Sequence, residues 1–496
     1  MNMLFVAVLS QATWAKAYGG GATFAEWVRC LIQTSDGGFI VGAGMNLTWT
    51  PQAAVIKLRS DGSVQWAKTS TEWVDPITSI IQTSDGGYAG TVSYDGSAFS
   101  NVFKLNSSGA GVWTRLYEWL SNIVLWDIVQ TPDNGYAVLG WGWVDGAGYP
   151  LDPILLKLNS TGGFQWARTI TISGTQYARS LIRTSDNGLA MGIECQETGS
   201  LLLVKLNSNY ALQWAKRIDR SGTPERLLSA NSLIQTQDDG YAITGSSGYD
   251  LFVVKLNSSG DLVWARTVDA GGAWGEIGFS IVQTTDGGYA IGGDIDGAYD
   301  DFPIMLRLDA SGNLLWAREY SFALGAAWAM IQTTDGGYAA TACYDGSGSG
   351  QPFILLKMDS EGYIQNSSCI YEITPTVTDV TSSVSVTGFT PSLTTPSGLL
   401  YSNWDLPVDF NPNVSSICEP LYEGMDESGS YVGLTCSPVP GGLIFKTQSE
   451  VPVRIYFPDG RLAYSDKLQK GENRITLGTG VYIWRAGPYK GKAIVK

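Results

Sequence analysis

One cassette recurs along three quarters of the chain and constrains the fold more than any other feature. Its first half is a turn: QTSDGGF at Gln33, QTSDGGY at Gln82, QTPDNGY at Gln130, RTSDNGL at Arg183, QTQDDGY at Gln235, and QTTDGGY at both Gln283 and Gln332. The aspartates stand at 36, 85, 133, 186, 238, 286 and 335, so the successive spacings are 49, 48, 53, 52, 48 and 49. A period of about 50 residues belongs to propellers and related repeat folds. The second half is an apolar strand ending in KLNSSG and followed by a tryptophan, as in Lys255-Leu256-Asn257-Ser258-Ser259-Gly260 and then Trp264-Ala265-Arg266.

Asp-Gly and Ser-Gly punctuate alternating apolar runs as hairpin turns require, so each cassette reads as four short strands. In the fifth these are Ser232 to Gln235, Tyr241 to Thr244, Leu251 to Leu256 and Leu262 to Thr267. Such a meander buries its faces only against neighbouring copies, which is the logic of a β-propeller blade. The tryptophans expected to dock one blade on the next are Trp14, Trp66, Trp113, Trp166, Trp214, Trp264 and Trp316. Trp14 precedes the first turn, and the last cassette has Asn366 where its own tryptophan would align. The chain therefore starts on the outermost strand of a blade that its last cassette completes. Seven blades and an N-terminal strand closure follow.

The KLNSSGDLVWART segment resembles the tryptophan-docking motif of quinoprotein-like propellers, and the QTxDGGYxxxG cassette resembles repeats of secreted bacterial and archaeal propeller proteins. The likeness covers about residues 13 to 366 and implies fold rather than activity. Quinone-dependent members of that superfamily have eight blades, a vicinal cysteine pair and a calcium site. Neither the blade count nor the cysteines agree here, so quinone binding is not carried over.

Composition narrows the chemistry. The 496 residues contain no histidine, which removes Ser-His-Asp and Cys-His nucleophile systems and histidine-bearing metal sites. A net charge of −15 without a basic run makes nucleic acid a poor partner. No run approaches the ~20 apolar residues of a membrane-spanning helix. Six cysteines (30, 195, 343, 369, 418, 436) form no CxxC pair and fit an exported protein with one or two disulfides.

Four regions result: an apolar N-terminal segment, 1–12, read as an export signal or a retained strand; the propeller, 13–370; a Ser/Thr/Pro-rich extended linker, 371–420; and a C-terminal β-sandwich, 421–496. Cys369 and Cys418 bracket the linker, and a bridge between them would pin its two ends together. In the last region Val453-Arg454-Ile455-Tyr456, Asp459-Gly460-Arg461, Gly480-Val481-Tyr482-Ile483 and the terminal Ala493-Ile494-Val495-Lys496 resemble the C-terminal sorting domain of the bacterial type IX secretion system. That resemblance implies export across an outer membrane and an extracellular or cell-surface location.

Candidate ligand-binding residues lie in the loops between second and third strands: Trp141, Trp143, Asp145, Asp294, Asp296, Asp300, Asp301 and Asp345. The aromatics offer sugar stacking. The carboxylates offer a calcium site or, paired, glycosidase or lyase chemistry. Ordinary Asp-Gly turn chemistry accounts for the same aspartates. No other cofactor is expected. The repeated tryptophans and the lysines of the KLN strand recur in nearly every blade and read as docking and edge residues rather than a site.

The function expected is an extracellular, non-enzymatic structural or adhesive protein that self-assembles into a homopolymer by β-strand addition. The candidate assembly strands are Leu4, Val6 and Val8 at the N-terminus, or Val377, Val384 and Val386 in the linker. The alternatives are a propeller module that binds surface glycans and a carboxylate-based glycosidase or lyase.

Overall fold

The computed structural model describes residues 13–495 except 20–26, 46–51, 70–75, 94–98, 120–122, 144–150, 172–173, 222–228, 272–274, 297–300, 321–324, 344–351, 365–369, 389–391, 395–398, 404–407, 410–412, 417–433, 440–441, 448–450, 457–461, 479 and 487–488. Seven antiparallel sheets form the blades of an all-β propeller. Blades 1 to 6 follow chain order, their inner strands being Trp27–Gln33, Ile77–Gln82, Ile123–Gln130, Gln176–Arg183, Ser232–Gln235 and Gly275–Gln283. Blade 7 is composite: Met330–Gln332, Tyr338–Ala342 and Phe353–Met358 come from the last cassette, and Trp14–Gly19 supplies the fourth strand, with Trp14 opposite Lys357 and Tyr18 opposite Phe353. The ring is closed by its own N-terminal strand.

Each blade has five strands, not the four of the cassette, and the fifth corrects the expectation for 371–420. That stretch is no free linker. It runs backwards around the whole circumference, laying one short strand antiparallel on the outer edge of each blade. Ile370–Glu372 pairs with blade 6, Thr376–Asp379 with blade 5 and Val384–Gly388 with blade 4. Ser392–Thr394, Leu399–Asn403 and Val408–Asp409 follow on blades 3, 2 and 1, and Asn413–Ser416 ends the circuit on Trp14–Gly19 of blade 7. An extended step of about seven residues spans roughly 23 Å, enough to pass from one outer edge to the next. Alternation makes the belt stick: Val380 and Val384 are buried, and Val386 packs beside them between blades 4 and 5, while Asp379 reaches out to Arg266 at 2.9 Å.

Blade contacts are made by the repeat. Six of the seven tryptophans lie on a glycine of the next blade (Trp14 on Gly62, Trp66 on Gly109, Trp113 on Gly162, Trp214 on Gly260, Trp264 on Gly312, Trp316 on Gly362), each a positive-φ position where a Cβ would strike or crowd the indole. The seventh, Trp166, meets Tyr210, which takes a positive φ in place of that glycine. The KLN lysines are not edge residues. Lys57, Lys104, Lys157, Lys205, Lys255 and Lys357, with Arg307 in the sixth blade, are buried and ion-paired to the turn aspartates of their own blades. The pairing explains why a charged residue recurs in the middle of an apolar strand.

After the belt come a three-stranded sheet (Leu434–Val439, Gly442–Thr447, Gly471–Thr476) and a four-stranded one (Val451–Tyr456, Leu462–Leu468, Gly480–Ala486, Tyr489–Val495). Leu443 and Phe445 on the first and Val453 and Ile455 on the second are fully buried. Among the described residues no helix is long and apolar enough to cross a membrane.

Candidate functional site: the axial channel

The inner strands surround an axial cavity of about 520 Å³. One wall position lies seven residues before each turn aspartate: Arg29, Thr78, Trp126, Arg179, Asn231, Phe279 and Trp328, all lining the cavity. Each of the first four and Phe279 sits in a break of ladder register, between Val28 and Cys30, Ile77 and Ser79, Leu125 and Asp127, Ala178 and Ser180, and Gly278 and Ser280. Such bulges re-aim a side chain that regular alternation would send elsewhere.

The next position carries Cys30, Ser79, Asp127, Ser180, Ser232, Ser280 and Ala329 and stitches blade to blade. Ser180 accepts the backbone N–H of Leu233 at 3.1 Å, Ser232 that of Ile281 at 3.3 Å and Ser280 that of Met330 at 3.1 Å. Asp127 replaces a serine in this ring. It accepts the Leu181 N–H at 2.7 Å, the Ser79 hydroxyl at 2.7 Å and the Ile128 N–H at 2.8 Å. Burial nevertheless pushes its carboxyl up to about 6, against the pull of those three bonds. The Cys30 thiol, also buried, is raised far above its ordinary range by desolvation and donates weakly to the Gly42 carbonyl at 3.6 Å.

Aromatic and cationic groups are interleaved around the axis. The Arg29 guanidinium lies between Trp126 and Trp328, 4.9 and 5.0 Å from their ring centres. Arg179 touches Trp126, Trp141 and Tyr177 at 5.1 to 5.2 Å, with Glu194 Oε2 3.5 Å from its Nε. Phe279 and Trp328 are 4.1 Å apart. The arrangement offers flat apolar faces, two cationic forks and a few hydroxyl and amide groups in one concave place, the usual composition of a small-ligand pocket.

Of the loop residues singled out from sequence, Trp141, Trp143 and Asp294 have described side chains, and none of these three lines the channel. Trp141 is buried behind the channel wall, 5.1 Å from Trp126 and 5.5 Å from Tyr177, where it supports Trp126 and cannot stack on a ligand. Trp143 packs against the same core. Asp294 is buried and accepts the Ile277 N–H at 3.1 Å. Asp296 faces Asp301 across a hairpin. Asp145, Asp300 and Asp345 lie outside the described residues, and among those described no group of three or more Cys, Asp or Glu could hold a metal ion. Cys369, Cys418, Leu4, Val6 and Val8 also lie outside them, while Cys30, Cys195 and Cys343 are buried free thiols. Val377, Val384 and Val386 belong to belt strands already paired within the chain, so they are not idle strands awaiting a second subunit.

No family model matches the chain, and no curated protein does. Solved structures of similar arrangement include a protein of unknown function from Bacteroides caccae, at 12% identity over 59% of this chain and 93% of that one, with a TM-score of 0.36. Another is Sqt1 of Chaetomium thermophilum, at 12% identity over 69% of this chain and 97% of that one, TM-score 0.38. Drosophila Semaphorin 2a matches at 6% identity over 98% of this chain and 97% of that one, TM-score 0.42.

Proposed function

We propose that the chain is a non-enzymatic, secreted adhesive propeller that binds carbohydrate in its axial channel. The observation that carries this is a break in the repeat. The turn aspartate and its strand cation are kept in all seven cassettes, and the docking tryptophan serves every blade, because the scaffold needs them. The wall position seven residues before the aspartate instead holds Arg, Thr, Trp, Arg, Asn, Phe and Trp in turn. A scaffold built from equal blades has no use for such differences at one shared position, whereas a ligand seated on the axis meets all seven at once. Three large aromatic faces beside hydroxyl and amide groups suit sugar rings, whose apolar faces stack and whose hydroxyls take polar contacts.

The secreted location draws on the C-terminal likeness to a sorting domain and on the cysteine usage. Self-assembly through the 371–420 segment loses its support, since that segment pairs with every blade of its own ring. The test is a glycan array and calorimetry on wild type and Trp328→Ala. Binding of an oligosaccharide that weakens roughly tenfold or more in the variant supports the reading. No binding across the array, or binding indifferent to Trp328, overturns it.

A further inference from the structure

We propose that Asn106 and Asn159, on the rim of blades 2 and 3 and away from the axial channel, are attachment sites for N-linked glycans. The proposal rests on the secreted location above, since Asn-X-Ser/Thr is an acceptor motif of exported proteins. The sequence carries that motif at Asn46, Asn106, Asn159, Asn257, Asn366 and Asn413. Asn46 and Asn366 lie outside the described residues, and Asn413 opens the belt strand on blade 7. The other three occupy one equivalent position, the first residue of the turn between the third and fourth strands of a blade.

Comparing that turn around the ring separates what the fold needs from what is left over. The turn needs a side-chain oxygen. Asp309 accepts the Ser311 and Asn313 N–H groups at 2.8 and 2.9 Å, and Asp359 accepts those of Glu361 and Tyr363 at 2.9 and 2.8 Å. Asn207 does the same for Asn209 and Ala211 at 2.9 and 3.0 Å, with no hydroxyl two residues on. Asn106 Oδ1 accepts the Ser108 and Ala110 N–H groups at 3.0 and 2.9 Å and, in addition, the Ser108 hydroxyl at 2.8 Å. Asn159 Oδ1 likewise accepts the Thr161 and Gly163 N–H groups at 3.0 and 2.7 Å and the Thr161 hydroxyl at 2.9 Å. Since an aspartate serves the turn as well, the Nδ2 of each asparagine is surplus to the fold, and neither has a partner among the described residues. Asn106, Ser108 and Thr161 are exposed and Asn159 is half-buried. Asn257 is less suited: its Oδ1 accepts the Ser259 and Asp261 N–H groups without a hydroxyl, and its Nδ2 faces Asp261 Oδ2 at 3.5 Å.

In the transfer, Nδ2 bonds to the anomeric carbon of a glycan carried on a polyprenyl phosphate. The bond from that carbon to the phosphate oxygen breaks, the phosphate leaves with the electron pair, and Nδ2 gives up a proton to a base of the membrane-bound transferase. An amide nitrogen is a poor nucleophile because its lone pair is shared with the carbonyl, and as the proton departs negative charge gathers on Oδ1. Three donors already aimed at that oxygen stabilise the charge as an oxyanion hole does. Blade 2 also has a use for the cover. Of its outer strand Gly111–Trp119 the belt pairs with Arg115 to Trp119, and Val112 in the remainder is exposed. A bulky polar glycan on the adjoining turn shields that open edge from pairing with other chains.

The experiment maps glycopeptides by mass spectrometry on the full chain, recovered separately from the culture medium and from the cells of the organism that makes it. In the extracellular protein the Asn106 and Asn159 peptides are expected to carry sugar in most molecules, the Asn257 peptide in fewer and the Asn207 peptide in none. Ser108→Ala should abolish the modification at Asn106 and leave Asn159 as it was. Asn209→Thr should create a new site at Asn207, because it supplies the missing hydroxyl to the same turn. An unmodified Asn207 in that variant, beside a modified Asn106, would overturn the part given to the turn. Extracellular protein unmodified at Asn106 or Asn159 would overturn the proposal for that residue and leave the secreted location standing. Unmodified protein confined to the cells would overturn both.

Discussion

Thr334 donates its backbone N–H to the side-chain oxygen of Gln33 at 2.8 Å, across 301 positions of chain. The same bond joins Ser35 to Gln82, Ser84 to Gln130, Ser185 to Gln235, Gln237 to Gln283 and Thr285 to Gln332. Pro132 breaks the series. It has no N–H to give, and the residue in the accepting position of the next blade is Arg183, which reaches the Gln130 carbonyl instead. The ring is thus closed on its turn face by a side chain repeated in six blades, and at its rim by the N-terminal strand.

Deleting residues 1 to 18 tests the rim closure. The deletion removes Trp14 from Gly62, and Tyr18 from its stack on Phe353 and from the Gly62 carbonyl at 2.7 Å. It also strips the belt's last strand of its partner. Losing two such aromatic contacts should cost at least about 5 kcal/mol and lower the thermal midpoint by roughly 10 °C. A midpoint within a degree or two of wild type would show that the ring does not depend on this strand.

A pair of glycine variants separates docking from backbone strain. Gly62 and Gly86 have nearly the same φ, +75° and +77°, but a Cβ on Gly62 would come within 2.8 Å of the Trp14 ring while one on Gly86 would meet nothing within 4 Å. Gly86→Ala should show only the left-handed penalty of about 1 kcal/mol. Gly62→Ala should add overpacking of about 1–3 kcal/mol more. Equal losses in chemical denaturation would mean that the tryptophan does not dock tightly.

The repeat made the blades, their number and the closure legible, because hairpin turns and apolar alternation are local signals written seven times. The belt was not legible in the same way. Its strands are two to five residues long and share no motif, and their pairing is set by the outer edges they find rather than by their own pattern. The site escaped for a different reason. The side chains at the wall position are aimed in five of the blades by a bulge, which alternation does not foretell, although the signal is present in the sequence: seven residues before the turn aspartate stand Arg29, Trp126, Arg179 and Trp328. The KLN lysines misled because a lysine in a strand reads as an edge until its partner, here the turn aspartate of the same blade, is known.

Acid and neutral pH should act oppositely on two kinds of aspartate. Burial works against the turn carboxyls, but the lysine ammonium, the threonine hydroxyl and the glycine N–H outweigh it, so Asp36, Asp85, Asp133 and Asp186 are held at about 2. Their stabilisation is present above about pH 4 and is lost as pH falls toward 2. Asp127 is raised to about 6, so between about pH 4 and 6 the native state keeps a proton that the unfolded chain has released, and stability falls as pH rises. Asp127→Ser installs the residue that Ser180 represents in the next blade and keeps an acceptor for the Leu181 N–H. The variant should lose the decline between pH 4 and 7 in urea titrations, so that its stability relative to wild type rises across that range. A destabilised variant with the same pH slope would show that Asp127 is not the group responsible.

The belt begins on blade 6 and ends on blade 7, neighbours in the ring, so Ile370, next to Cys369, and Ser416, two residues before Cys418, belong to adjacent sheets. A bridge between the two cysteines would turn an open belt into a loop around the whole propeller. It would also carry tension arriving from the C-terminal sheets past the seven short strands, which could otherwise peel away in order, starting from Asn413–Ser416. Peptide mapping without reductant is expected to recover Cys369 joined to Cys418, and closing a loop of this length contributes on the order of 4 kcal/mol in the chain-entropy model. Val384→Asp supplies the second arm. Burying a carboxylate between blades 4 and 5 should free Val384–Gly388 and expose the amides of Leu212–Arg220 to hydrogen exchange. With the bridge intact the loss should stay confined to that part of the rim, and after reduction it should spread to the belt strands on blades 3, 2, 1 and 7. Recovery of both cysteines as free thiols in freshly prepared protein, or an exchange pattern unchanged by reduction, would remove the clasp and leave the belt held by its strands alone.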